Sequence, residues 1–86
     1  MNIKYSKDAL KFLAKIQKPI ANNIREAIKG LTVTPPEGDI KVLQGYDDGR
    51  MRLRVGKYRI IYRYDIDNQL KILYIIDIGS RRDIYK

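Results

Sequence analysis

The sequence predicts an α+β fold of two layers, ordered β-α-α-β-β-β, with an N-terminal helical hairpin packed on an antiparallel-rich four-stranded sheet. Two stretches within the first 31 residues repeat apolar side chains at helical spacing. Three later stretches alternate, or run apolar, as strands do, with turn signals between them. The length of 86 residues suits one domain over residues 1–86 and not two.

Asn2 to Tyr5 reads as a short strand with Ile3 inward. Ser6 follows as an N-cap, and Asp8 sits favourably in the first helical turn. Ala9, Phe12, Leu13 and Ile16 then form an apolar stripe, with Lys7, Lys11, Lys15 and Lys18 on the outer face. A solvated helix face explains those lysines better than a ridge that tracks phosphates. Pro19 opens a second helix, because the first turn does not need its missing N–H. Ile20, Ile24, Ala27, Ile28 and Leu31 make its stripe, and Thr34-Pro35-Pro36 ends it. Residues 35–49 form a connector in which Lys41, Val42 and Leu43 pack as a short extended piece. Three strands follow, at about 50–55, 57–65 and 69–78. Gly56-Lys57 suits a type II′ hairpin, and Asp67-Asn68 supplies the next turn. The last strand is apolar on both faces, with Ile72, Tyr74 and Ile76 on one and Leu73 and Ile75 on the other, so it belongs inside the sheet.

The first of these three strands carries the strongest chemical signal. Side chains two apart share a face, so Arg50, Arg52 and Arg54 point one way while Met51, Leu53 and Val55 point to the core. Arg59 lies on the hairpin partner, and Arg81 and Arg82 follow the last strand. Guanidinium groups stay charged and grip phosphate oxygens in a fork. Basic residues also protect an exposed sheet edge from aggregation. That explains any single arginine as well as function does, but it explains their clustering poorly. Tyr58, Tyr62, Tyr64, Tyr74 and Tyr85 are available to stack on bases. Tyr62, Tyr64 and Tyr74 read better as half-buried strand residues. Tyr85 stands apart in the polar tail.

Composition narrows the chemistry. The chain has no cysteine and no histidine, which excludes a Cys/His zinc site, a Ser-His-Asp triad and a two-histidine ribonuclease mechanism. The net charge is +8, and it is uneven: residues 1–49 hold 8 basic and 6 acidic side chains, residues 50–86 hold 10 and 4. Such asymmetry points to an anionic partner. No apolar run nears the ~20 residues needed to span a bilayer, and no signal-peptide core is visible, so a cytoplasmic protein is expected.

The segment Arg52-Leu-Arg-Val-Gly-Lys-Tyr-Arg-Ile-Ile-Tyr62, the late apolar strand, and Gly79-Ser-Arg-Arg-Asp-Ile-Tyr-Lys86 resemble the RelE/ParE superfamily of bacterial and archaeal type II toxins. The β-α-α-β-β-β order matches its fold, the RelE-like microbial ribonuclease fold, so the resemblance covers nearly the whole chain as one toxin domain. The terminal Arg-Arg-x-Ile-Tyr resembles the RelE branch rather than the gyrase-directed ParE branch. The resemblance implies a ribosome-dependent endoribonuclease that cuts mRNA in the A site by 2′-hydroxyl attack, without metal or cofactor, and so inhibits translation. It implies catalytic roles for Arg52, Arg59, Arg81 and Tyr85, and RNA binding by Arg50, Arg54 and Arg82. The implied partners are mRNA on the ribosome and a cognate RelB-like antitoxin; none is a membrane. Arg50 and Arg52 stand where some members carry lysine. Arginine gives up a proton with difficulty, so Tyr85, with an ordinary pKa near ~10, is the better candidate for proton transfer. Ser80 stands where many relatives have histidine. The alternatives on this fold are a ParE-like DNA gyrase inhibitor and a catalytically silent RNA-binding domain.

Overall fold

Ser6 joins the two layers. In the computed structural model of the protein, which describes residues 1–80, strand β1 (Asn2–Tyr5) ends at Ser6 and helix α1 (Lys7–Lys15) begins. The Ser6 hydroxyl accepts from Ala9 N–H at 3.0 Å and donates to the carbonyl of Ile76 at 2.7 Å. Its backbone N–H donates to the carbonyl of Ile75 at 2.9 Å. One residue thus caps the helix and covers carbonyls on the last strand. Ala9 and Leu13 are buried, while Ile16 lies just past the helix end in extended backbone.

Helix α2 (Lys18–Lys29) carries proline in its first turn, as expected. Ala21, Ile24 and Ile28 form its buried stripe. Leu31, the last expected member, falls in a single 3₁₀ turn, Gly30–Thr32, and is fully buried. Burying each such isoleucine or leucine is worth roughly 1.5–3 kcal/mol.

Among the described residues the sheet has five strands, not four. The connector contains strand β2 (Asp39–Val42), which pairs antiparallel with β3 (Met51–Val55). Gly38 leads into it with φ +128°, and a Cβ there would lie 2.5 Å from Leu53 Cδ1. Only glycine brings the backbone that close to the core. Strand β4 (Tyr58–Asp67) follows Gly56, whose φ of +59° suits the type II′ turn. The next turn is Asn68-Gln69, both at positive φ, one residue later than expected, and β5 (Leu70–Ser80) completes the sheet. The strand order is β1-β5-β4-β3-β2, with β1 parallel to β5 and every other pairing antiparallel. β5 is internal, as its apolar pattern requires.

The helices cover one face. Leu53, Ile60, Tyr62, Leu73, Ile75 and Ile78 meet Ala9, Leu13, Ala21, Ile24, Ile28 and Leu31 in a single core. Between Ile75 and Ile78 the alternation slips. Tyr62 pairs with Ile75 but Ile61 pairs with Asp77, which leaves Ile76 as an extra residue in a β-bulge. Without the bulge, strict alternation from Ile75 would aim Asp77 into the core and Ile78 away from it. No helix of the described residues is long and apolar enough to cross a membrane.

Candidate functional site

The sheet face turned away from the helices holds two adjacent rows of residues. Strand register sets Lys41, Arg52, Ile61 and Asp77 in one, and Asp39, Arg54, Arg59 and Gly79 in the other. Arg54 and Arg59 stand directly opposite each other. Like charges at that distance are destabilising unless an anion relieves them. β3 is an internal strand, because β2 lies outside it. Edge protection therefore does not account for the arginines, and their placement calls for another reason.

The arginines differ in environment. Arg52 is 7% exposed; its Nη2 donates to Asp39 Oδ1 at 3.2 Å, while its Nε is buried without an acceptor among the described residues. Such an unmet donor costs on the order of 1–3 kcal/mol. Arg59 is 5% exposed and its Nη1 donates to the carbonyls of Gly56 and Tyr58, at 3.2 and 3.1 Å, so the hairpin turn clamps it. Arg54 is exposed. Arg50 precedes β3 rather than lying in it: its Nε donates to Asp48 Oδ2 at 2.9 Å and its guanidinium stacks 4.5 Å from the Tyr46 ring. That hydrogen bond holds the Asp48 carboxyl below the usual range. Arg81, Arg82 and Tyr85 lie outside the described residues. The last described residue, Ser80, is one beyond Gly79, the partner of Arg59.

Two functional candidates escape the sequence reading. Arg63 shares the open face with Arg59 and Ile61 by parity, lies 4.7 Å above the Tyr74 ring, and bonds Asp65 at 3.0 Å. That bond lowers the Asp65 carboxyl. Counting by twos along β4 would have found it. Tyr46, in the β2–β3 connector, is 54% exposed, and no periodic pattern marks it. With Arg50 it lines a cavity of about 370 Å³ that Asp8, Ile61, Ile76 and Asp77 also line. The bulge puts Ile76 and Asp77, neighbours in sequence, into the same cavity.

Other tyrosines serve the core. Tyr58 packs edge-on against Phe12 at 5.8 Å, and the Tyr64 hydroxyl donates to the carbonyl of Leu31 at 2.7 Å. Tyr62 is fully buried, with its hydroxyl lacking a partner among the described residues. Burial raises the pKa of Tyr5, Tyr62 and Tyr64, the wrong direction for a general base. Among the described residues, no three acidic side chains group to hold a metal ion.

The family model for the ParE toxin of type II toxin–antitoxin systems, parDE, matches residues 3–85. Among solved structures, the fold is similar to the RelBE2 toxin–antitoxin complex of Mycobacterium tuberculosis: 25% identity over 93% of this chain and 96% of that chain, TM-score 0.70. It is similar to the archaeal RelE–RelB complex of Pyrococcus horikoshii, at 27% identity over 93% of each chain, TM-score 0.69. The YoeB/ParE toxin of Agrobacterium tumefaciens shares the fold at 18% identity, 94% and 99% coverage, and TM-score 0.77. No curated protein sequence matches the chain.

Proposed function

We propose, on the premise that this chain belongs to the ParE toxin family and so to the RelE/ParE superfamily of type II toxins, that it is a ribosome-dependent mRNA endoribonuclease. The observation that supports this reading is the pair of buried arginines, Arg52 and Arg59, on adjacent internal strands of the open face. Burying two guanidinium groups on one surface is costly unless an anion arrives to share them. A phosphodiester fits, and its charge grows as the reaction proceeds.

The 2′-oxygen attacks phosphorus, the O2′–P bond forms and the P–O5′ bond breaks. The 2′-hydroxyl gives up its proton to a base, and the departing 5′-oxygen takes one up. The products are a 2′,3′-cyclic phosphate and a 5′-hydroxyl. Arg52, Arg59 and Arg81 orient the phosphate and stabilise the pentacoordinate transition state. Tyr85 serves in proton transfer or stacking. Arg50, Arg54 and Arg82 hold the flanking RNA. The ribosome supplies the substrate geometry, so cleavage of free RNA is weak. The basic face also suits a cognate RelB-like antitoxin that covers it with an acidic or amphipathic segment, as the solved complexes with RelB suggest.

Induction followed by mapping of mRNA 5′ ends on ribosomes tests the reading. New ends within A-site codons are expected. They disappear when Arg59, Arg81 and Tyr85 are together replaced by alanine. Cleavage that survives this triple change, or intact translation, rejects the proposal. The ParE description of the matching family favours a second reading, a DNA gyrase inhibitor. DNA damage and loss of supercoiling, with translation continuing, would select it.

A further inference from the structure

We infer that Asp39 is a positioning residue for Arg52, a role that rests on the endoribonuclease reading of the open face. In the ladder Asp39 stands opposite Arg54, not Arg52. The natural cross-strand ion pair is therefore Asp39 with Arg54. The carboxylate instead reaches one row over and accepts from Arg52 Nη2 at 3.2 Å. Arg54 stays exposed, while Arg52 is held by one edge of its guanidinium with its Nε unmet among the described residues.

Surface ion pairs normally form between two exposed partners and contribute little. Here the partners are unlike: the Asp39 side chain is 55% exposed and the Arg52 side chain 8%. An exposed carboxylate that pins a buried guanidinium sets its direction. The fork is held at Nη2, and that hold fixes the direction in which the rest of the guanidinium faces. β2 is the strand that brings Asp39 to β3. A strand that the sequence shows only as a short extended piece thus supplies the orientation of an arginine that the sequence displays.

Charge and position make opposite demands on a variant, so kinetics separate them. Asp39→Asn removes a negative charge from a basic face. Through charge alone it would tighten RNA binding, lower KM and leave kcat unchanged. As a positioning residue it instead lowers kcat by about 10-fold or more, with KM unchanged or lower, because a slightly misplaced group loses transition-state contact. Asp39→Glu restores part of kcat. Asp67→Asn, an equal charge change at the end of β4, leaves kcat as it was.

A second readout does not need the reaction. In nitrogen-15 NMR spectra of the free protein, the Arg52 guanidinium N–H signals are resolved in wild type and merge in Asp39→Asn as rotation is freed. Signals that stay resolved in Asp39→Asn, or a kcat within twofold of wild type, overturn the inference. If the wild-type protein makes no cut on ribosomes, the endoribonuclease reading falls, and with it the role in turnover. The NMR comparison then decides alone whether Asp39 holds Arg52.

Discussion

Tyr62 brings a hydroxyl into the core, and that hydroxyl finds no acceptor among the described residues. The ring packs edge-on to Tyr64 at 5.6 Å, so the aromatic surface explains its presence and the oxygen does not. Tyr62→Phe is expected to stabilise the fold by about 1 kcal/mol, read from urea denaturation. Burial raises the Tyr62 pKa in the folded chain, so above pH ~10 the folded state binds more protons than the unfolded one. Its contribution is complete below that pH and is lost as pH rises through the folded value. Alkaline unfolding should therefore begin at higher pH in Tyr62→Phe, as far-UV circular dichroism against pH will show. At this scale the arginines on β3 were legible, because alternation with Met51, Leu53 and Val55 fixes their face. Arg52 and Arg54 share a face, as read, yet one is buried and the other exposed. Sequence spacing conveys direction and not depth. Tyr46 lies in a connector, where no period exists to reveal it.

Ser6 shows how one side chain can carry two elements. Its hydroxyl starts α1 and also covers a carbonyl of β5 beside the bulge. Ser6→Ala should cost about 1 kcal/mol from the cap, and somewhat more because the Ile76 carbonyl also loses its donor. Thermal or urea unfolding measures it, and a loss under about 0.5 kcal/mol would mean that the cap is dispensable. Both helices were legible from stripes and caps, and the three long strands from their runs and turns. β2 was not. Four residues, Asp-Ile-Lys-Val, hold too few alternations to form a pattern, and Val42 is 64% exposed. The bulge in β5 was missed for a different reason. Ile75-Ile76 followed by Asp77-Ile78 reads as a strand apolar on both faces, and a strict period of two runs straight through it. The adjacent isoleucines mark where the parity changes, and a charge two residues after a core position was the available sign.

Across the whole molecule, a helical layer and an open basic face follow from the sequence, because periodicity and charge asymmetry act over many residues and errors at single positions cancel. The strand count does not follow, since it depended on one short edge strand. The order β1-β5-β4-β3-β2 has a further consequence, for the making of the protein. β1 finds its partner in β5, at pairs such as Asn2 with Ile72 and Tyr5 with Ile75, so the first strand made must wait for nearly the last. Such long-range pairing slows folding. While β5 is still inside the ribosome, the sheet lacks both the neighbour of β1 and one neighbour of β4. Nascent chains stalled with residues 1–67 outside the exit tunnel and β5 still inside should therefore be cut readily by added protease, and released chains should resist it. Equal resistance would show that the first four strands fold alone. A newly made chain would then lack its finished arginine face until release, and that interval is when a partner translated alongside can reach it.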